Sequence, residues 1–162
     1  MFQKEWLAEG LAKDFRISQH LFGKIPAELY DWRPSPGQRS VAELLKYLSV
    51  CVIGGLRGFV EPGTDWRAHY AAKSAALKPE DFPAAMAEQA AEIAALLENL
   101  TAEQLAVSQT MPWGESVSLG EALCGGAVRR LPAYNMQLFL YLKQNGIQLS
   151  TPNLWHGRDP AA

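Results

Sequence analysis

Apolar residues recur at helical spacing over most of the chain, and this periodicity predicts an all-α fold. The first predicted helix covers about residues 2–22, and its apolar arc is formed by Leu7, Leu11, Phe15, Ser18, Leu21 and Phe22. The other three predicted helices cover about residues 40–56, 82–100 and 118–145. Four amphipathic helices in one chain favour a four-helix bundle.

Two capping boxes define where the second and fourth helices begin. They are S-V-A-E at Ser40–Glu43 and S-L-G-E at Ser118–Glu121. In this motif the serine and glutamate side chains each accept a hydrogen bond from the other residue's backbone N–H. Gly23 and Asn145-Gly146 are typical of helix ends, so we expect the first and fourth helices to end there.

Two further local features lie in the C-terminal half. Pro132 falls inside the fourth helix, where it removes the hydrogen bond to the carbonyl of Val128, so we expect a kink. Before that helix, the segment VSQTMPWGESVS predicts a short hairpin around Trp113-Gly114.

A long connector separates the second and third helices. It covers about residues 57–80 and contains Pro62, Gly63 and Pro79. Antiparallel neighbours need only about 2–8 connecting residues. We therefore expect a crossover that makes helices two and three parallel, which gives an up-down-down-up bundle.

The composition fits one helical-bundle domain over residues 1–162, with 48% hydrophobic and 20% charged residues. A formal net charge of −2 gives no support for nucleic-acid binding. No apolar run approaches the roughly 20 residues of a membrane span, and the N-terminus lacks the pattern of a signal peptide. Cys51 and Cys124 show no CxxC spacing, so we expect a cytoplasmic protein with free thiols.

Arg130 and Tyr134 lie one turn apart on or beside the apolar face of the fourth helix. At about 1.5 Å of rise per residue, several polar residues on other helices reach a similar height. The predicted polar layer consists of Asp14, Tyr47, Arg130 and Tyr134, with Glu43 and Cys51 one turn to either side.

Two interpretations of this layer remain open at the level of sequence. In the first, Asp14 neutralises a buried Arg130 in a structural ion pair, because an uncompensated buried arginine is costly. In the second, Arg130 and the tyrosines line a cleft and bind an anionic or polar ligand. Spacing alone does not separate them.

Two stretches of the chain resemble the DinB-like superfamily of four-helix bundles, which includes metal-dependent thiol S-transferases. One is WRPSPGQRSVAELLKYL at residues 32–48, similar to a family pattern of W-x-P followed by Ser-x-x-Glu and, four residues later, a metal-binding histidine. The other is the fourth helix, where the family shows H-x-x-x-H-R-x-Q and then a glycine; Gln137 and Gly146 occupy the last two positions.

The three family histidine positions fall on Tyr47, Arg130 and Tyr134. The resemblance implies a site for divalent zinc or nickel built from neutral imidazoles. Arginine has no acceptor for a metal, and tyrosine has an unperturbed pKa of about 10. We therefore expect no metal cofactor, with the charge of Arg130 in place of the ion.

Other candidate residues have simpler interpretations. His20, His69 and His156 are expected to be solvent-exposed rather than to form a zinc site. Cys51 is either a thiolate activated by Arg130 or, more simply, a buried inert thiol. In the tail, Leu154 and Trp155 are expected to dock on the bundle.

Three hypotheses about function follow. The first is a small-molecule-binding protein that holds a polar or anionic ligand in the former metal cleft. The second is an enzyme, a metal-dependent thiol S-transferase or a hydrolase. The third is a structural homodimer with an inert polar layer. The expected partners are a small-molecule ligand and a second copy of the chain, without nucleic acid or membrane.

Overall fold

The computed structural model describes residues 4–111 and 113–161, and most of them are helical. The helices in chain order are α1 (Lys4–Phe22), α2 (Val41–Leu48), α3 (Cys51–Val60), α4 (Trp66–Ala75), α5 (Phe82–Glu98), α6 (Ala102–Ala106), α7 (Leu119–Ala122), α8 (Arg130–Gln144) and α9 (Thr151–His156). The bundle consists of α1, the α2–α3 pair, α5 and α8. The predicted all-α up-down-down-up bundle is confirmed. The predicted start at Phe2 lies outside the described residues.

The second predicted helix is broken into α2 and α3. Val50 leaves the helical region, with φ −137° and ψ −8°. The buried Gln89 of α5 compensates for this break. Its Nε2 donates to the carbonyl of Leu48 at 2.9 Å, and its Oε1 accepts from the backbone N–H groups of Val52 and Ile53 at 3.1 and 3.2 Å. A single amide therefore satisfies backbone groups on both sides of the break.

The long connector contains a helix, α4, that the sequence interpretation did not predict. Asp65 caps it by accepting from the backbone N–H of Ala68 at 2.9 Å. Tyr70 of α4 is buried and donates to Glu92 of α5 at 2.5 Å. Arg57 of α3 also contacts Glu92, through Nε at 2.9 Å. The connector is therefore a structured crossover that is held against both α3 and α5.

The segment between α6 and α8 forms a hairpin and an irregular helix. Strands β1 (Ser108–Thr110) and β2 (Ser116–Ser118) pair antiparallel, as predicted. After α7, a π-helical segment covers Leu123–Val128. The irregular backbone thus ends at Val128. Pro132 lacks a backbone N–H and cannot donate a hydrogen bond to the carbonyl of that residue. The fourth predicted helix ends as expected, and Gly146 has φ +81°.

Helices α1 and α8 run in the same direction and share a polar contact. Ser18 Oγ donates to Asn135 Oδ1 at 2.6 Å, and Asn135 Nδ2 donates to the carbonyl of Asp14 at 3.0 Å. Ser18 and Asn135 are both buried. Because each polar atom has a partner, this contact fixes the register of the two helices without an unsatisfied group.

The C-terminal segment packs against α1 through Asn153. The Nδ2 atom of Asn153 lies 3.0 Å from His20 Nε2 and 3.0 Å from Asp159 Oδ1. The side chain of His20 is only 15% exposed, so the expectation of a solvent-exposed histidine was wrong there. Leu154 packs on the core as expected, but Trp155 is 58% exposed and does not dock.

Among the described residues, the helices are all too short or too polar to cross a bilayer.

Candidate functional site

A cleft of about 870 Å³ opens between α2, α3, α4 and the start of α8. Its lining includes four of the six predicted site residues, and these are Glu43, Tyr47, Cys51 and Arg130. The α3 helix contributes Gly54, Gly55 and Gly58 to the lining, and of these only Gly58 would add a Cβ with no atom within 4 Å. The predicted layer therefore exists in part, and it borders an open cleft.

Arg130 lies in the first turn of α8 and is half-buried. Its Nη1 donates to the carbonyl of Cys51 at 3.2 Å. A Cβ at position 55 would lie 2.7 Å from the same nitrogen, so the guanidinium packs directly on the Gly55 backbone. Within residues 4–111 and 113–161, Arg130 forms no salt bridge. Its guanidinium lines the open cleft, and no carboxylate of the described residues lies within ion-pair distance.

The predicted ion pair between Asp14 and Arg130 does not form. Asp14 lines a separate groove with Pro132, Met136 and Trp155. Residues two apart on a helix lie about 200° apart around its axis, so Pro132 and Arg130 lie on nearly opposite sides of α8. Burial raises the pKa of the Asp14 carboxyl, and the charge of Lys13 opposes this only in part.

The two tyrosines form an aromatic pair beside Arg130. The ring centroids of Tyr47 and Tyr134 are 4.6 Å apart at an interplanar angle of 63°. Burial is the main reason that the pKa of Tyr47 is raised to about 12; nearby Cys51 and Tyr134 add to this effect, and Arg130 opposes it. Tyr47 is therefore a neutral hydroxyl at physiological pH.

Arg39 is a second arginine at this site, and the sequence interpretation did not single it out. Its guanidinium carbon lies 4.2 Å from the ring centroid of Tyr47 and 5.6 Å from that of Tyr134. Both distances fall within the range of cation–π contacts. Arg39 lines the cleft and forms no salt bridge within the described part of the chain. Among the described residues, the cleft lining therefore has three arginines without a carboxylate partner, Arg39, Arg67 and Arg130.

Glu43 does not neutralise these arginines, because other groups already bind it. Its Oε2 accepts from the backbone N–H of Ser40 at 2.7 Å, which completes the predicted capping box. Its Oε1 accepts from Arg33 at 3.2 Å. The pKa of Glu43 is lowered first by the Ser40 hydrogen bond, with burial opposing and Arg33 and Arg39 adding to the shift.

Cys51 is buried, with 4% of its surface exposed. Burial raises the pKa of its thiol to about 12, and the nearby charge of Arg130 lowers it only in part. The structure thus places the thiol as the inert interpretation requires, although Arg130 is close to it. A thiolate nucleophile does not fit this environment.

Aromatic side chains of α3 and α4 also line the cleft. They are Phe59, Trp66 and Tyr70. Trp66 is fixed on two sides: the guanidinium carbon of Arg57 lies 4.7 Å from its ring, and its Nε1 donates to the carbonyl of Glu61 at 3.3 Å. Sequence reasoning missed these rings because it treated residues 57–80 as a connector.

The charge of the lining differs in sign from that of the whole protein. Four basic residues and two acidic residues line the cleft, so the lining carries a formal charge of +2, whereas the chain carries −2. The basic residues are Arg39, Lys46, Arg67 and Arg130, and the acidic ones are Glu43 and Asp65. Both carboxylates accept a hydrogen bond from a backbone N–H at a helix N-terminus. The cleft is therefore an electropositive region on an acidic protein.

The family model of the DinB superfamily matches residues 11–125. The chain belongs to the DinB superfamily. A crystal structure of a DinB-family protein from Exiguobacterium sibiricum has 23% identity and a TM-score of 0.75, and the match covers 92% of this chain and 95% of that chain. The crystal structure of a DinB-like protein from Bacillus subtilis has 21% identity and a TM-score of 0.66. That match covers 88% of this chain and 93% of the Bacillus chain. Curated proteins give no match.

The three positions that the resemblance assigns to metal-binding histidines carry side chains that do not suit a divalent cation. Tyr47, Arg130 and Tyr134 are a neutral phenol, a cation and a second phenol packed on the first. Within the described residues, groups of three or more His, Cys, Asp or Glu side chains that could hold a metal are also absent. The positive charge of Arg130 at this position would repel a metal ion.

Proposed function

We propose that this DinB-superfamily protein binds a small anionic molecule in the cleft, with Arg130 as its main contact. The observation that carries this proposal is the position of Arg130: its guanidinium is half-buried at an open cleft and lacks a carboxylate partner within residues 4–111 and 113–161. A partly desolvated arginine interacts with a carboxylate or phosphate more strongly than one in bulk water.

Three further features support an anion rather than a neutral ligand. Arg39 and Arg67 add positive charge to the same lining. The Tyr47 hydroxyl stays protonated at neutral pH and adds no negative charge. The acidic residues of the lining already accept hydrogen bonds from backbone groups. An electropositive cleft also raises the local concentration of anions and speeds their association.

The alternative hypothesis, a metal-dependent thiol S-transferase or hydrolase, requires a metal site that these side chains do not favour. We expect untagged protein to contain well under one equivalent of zinc or nickel per chain, as measured by inductively coupled plasma mass spectrometry. Stoichiometric metal that is lost in Tyr47→Phe or Tyr134→Phe would contradict this expectation and would favour the enzyme.

Anion binding is tested by isothermal titration of acetate, benzoate and phosphate into the wild type and two variants. Arg130→Gln removes the charge but keeps an amide that can donate to the Cys51 carbonyl. Arg129→Gln makes the same change at the neighbouring exposed residue, which does not line the cleft. We expect Arg130→Gln to weaken binding of the best anion by at least about tenfold. Arg129→Gln should change it by less than about twofold.

Equal effects of the two variants would mean that binding reflects general charge rather than the cleft. Absence of binding to the wild type by these anions and by larger organic acids alike would contradict the proposal itself. Circular dichroism melting of each variant shows whether it remains folded at the titration temperature, so that unfolding is not mistaken for lost binding.

A further inference from the structure

The cleft is much larger than the anionic group that Arg130 would hold. Its volume is about 870 Å³, within the range of roughly 300–1,000 Å³ that is typical of sites for whole organic ligands. A carboxylate or phosphate group placed against Arg130 and Arg39 would occupy only one end. The remaining space continues along α3 from Gly55 to Gly58, about 4.5 Å further along the helix axis.

The far end of this space is aromatic and has little side-chain obstruction. Phe59 and Trp66 line the cleft, and Gly58 directly precedes Phe59, three residues after the Gly55 that contacts Arg130. A Cβ built on Gly58 would meet no atom within 4 Å, so this glycine faces open space and is not required by packing. Bare backbone beside two rings leaves room for a flat apolar group.

The aromatic rings are held in place before any ligand arrives. The ring of Trp66 stacks on the guanidinium of Arg57, and its Nε1 donates a hydrogen bond to the Glu61 carbonyl. The ring of Phe59 packs on the π-helical segment, where a Cβ at Gly126 would lie 2.8 Å from its carbons. Pre-positioned rings lose little side-chain entropy on binding, which favours affinity for an apolar group.

We propose that the ligand is an amphipathic organic acid, with its anionic group at Arg130 and a bulky apolar group over Gly58 against Phe59 and Trp66. This inference rests on the proposed function and adds the class of ligand. The anionic group is a carboxylate or a phosphate monoester, since both match the donors of a guanidinium. The apolar group is about the size of one or two aromatic rings.

The test is a titration series in which the anionic group is constant and the apolar group grows. Acetate, benzoate and 2-naphthoate form the carboxylate series. Inorganic phosphate, phenyl phosphate and 1-naphthyl phosphate form the phosphate series, and comparison of the two identifies the preferred anionic group. We expect the dissociation constant to fall by at least about tenfold from the smallest to the largest member of the preferred series. Neutral 2-naphthamide should bind at least about tenfold more weakly than 2-naphthoate.

A variant of α3 locates the apolar group. Gly58→Leu adds a side chain at a cleft position where a Cβ meets nothing within 4 Å, and Gly10→Leu is the matched control on α1, where a Cβ also meets nothing within 4 Å. Gly58→Leu should weaken 2-naphthoate by at least about tenfold and change acetate by less than about twofold. Gly10→Leu should leave both unchanged.

The outcomes separate this inference from the proposed function. If small and large acids bind equally well and depend on Arg130, the anion site stands and the amphipathic ligand is refuted. The same conclusion follows if Gly58→Leu leaves 2-naphthoate binding intact. If no member of either series binds, both proposals fail.

Discussion

A Cβ at position 55 would lie 2.7 Å from Nη1 of Arg130, so the guanidinium occupies the space that any side chain at Gly55 would need. The same Cβ would lie 3.0 Å from the Cβ of Ala127, which has no flexible side chain to move away. The glycine on α3 and the arginine on α8 are therefore complementary. The position of the cleft's main positive charge depends on the absence of a methyl group.

Gly55→Ala should lower the free energy of unfolding by about 1–2 kcal/mol, because overpacking costs about 1–3 kcal/mol and the better helix propensity of alanine returns up to about 1 kcal/mol. Gly58→Ala is the matched control, since its Cβ would enter open space. We expect that control to raise stability by about 0.5–1 kcal/mol. Denaturation in urea measures both, and equal effects would mean that Arg130 and Ala127 do not restrict position 55.

Glu92→Gln should lower the free energy of unfolding at pH 7 by about 1–3 kcal/mol, because it weakens hydrogen bonds from Tyr70 and Arg57 to a charged acceptor. Glu88 lies on the same helix and pairs with Lys73, but the side chain of Glu88 is 63% exposed. Glu88→Gln should therefore lower the free energy of unfolding by less than about 1 kcal/mol.

The effect of Glu92→Gln should also depend on pH. Burial opposes ionisation of Glu92, but the hydrogen bonds from Tyr70 and Arg57 outweigh it, so the pKa of this carboxyl is below its usual 4.5. A lowered pKa stabilises the fold fully above pH 4.5, and this contribution is lost as the pH falls through the folded-state value. The difference between wild type and variant should therefore shrink as the pH falls below 4.5. A constant difference would show that the charge of Glu92 is not involved.

Asp14→Asn should leave the free energy of unfolding at pH 7 unchanged or raise it by up to about 1 kcal/mol. Burial raises the pKa of Asp14 above 3.8, so its contribution to stability falls as the pH rises from that value through the folded-state pKa. Glu9→Gln, an exposed carboxylate on α1, should change stability by less than about 0.5 kcal/mol. A loss of about 3–5 kcal/mol in Asp14→Asn would instead indicate a buried ion pair.

Cys51 should be unreactive toward Ellman's reagent in the folded protein, because its thiol is buried and its pKa is raised to about 12. Cys124 is half-buried, and burial raises the pKa of its thiol as well. We therefore expect the folded protein to react slowly with Ellman's reagent, and to do so through Cys124. Cys124→Ser should therefore reduce the labelling rate at about pH 8 at least about 100-fold, and denaturant should restore it. Rapid native labelling of Cys124→Ser would restore Cys51 as a candidate nucleophile.

Local signals in the sequence predicted the helix ends well. The capping boxes at Ser40 and Ser118 both form, since each depends on side chains within three residues of one another. The hairpin around Trp113-Gly114 and the glycine end of α8 also appear as predicted. These features are determined by short-range backbone hydrogen bonding, which the order of residues specifies directly.

The polar layer was predicted only in part, because residues at the same height on neighbouring helices can lie on different sides of the helix between them. Tyr47, Tyr134, Arg130 and Cys51 do come together, but Asp14 lies on the other side of α8. The break at Val50 and the π-helical segment before Arg130 also change the rotation of the residues that follow. These irregularities depend on long-range partners, so a periodic pattern does not reveal them.

Arg39 and the aromatic end of the cleft had weak signals in the sequence. Arg39 directly precedes the capping serine, a position that is usually solvent-exposed. Trp66 and Tyr70 have helical spacing, and Asp65 before them is a capping residue, so α4 was detectable in principle. Pro62, Gly63 and Pro79 are typical of loops, and for this reason the whole of residues 57–80 was interpreted as a connector.

The amide of Gln89 has a consequence for the order in which the protein folds. The backbone N–H groups of Val52 and Ile53 find their acceptor 37 and 36 residues further along the chain. The first turn of α3 is therefore incomplete until the crossover has closed and α5 has docked. Since α3 carries Gly55 and Gly58, the cleft should be among the last parts of the molecule to form. Amide hydrogen exchange at Val52 and Ile53 should accordingly report opening of the whole crossover rather than local fraying.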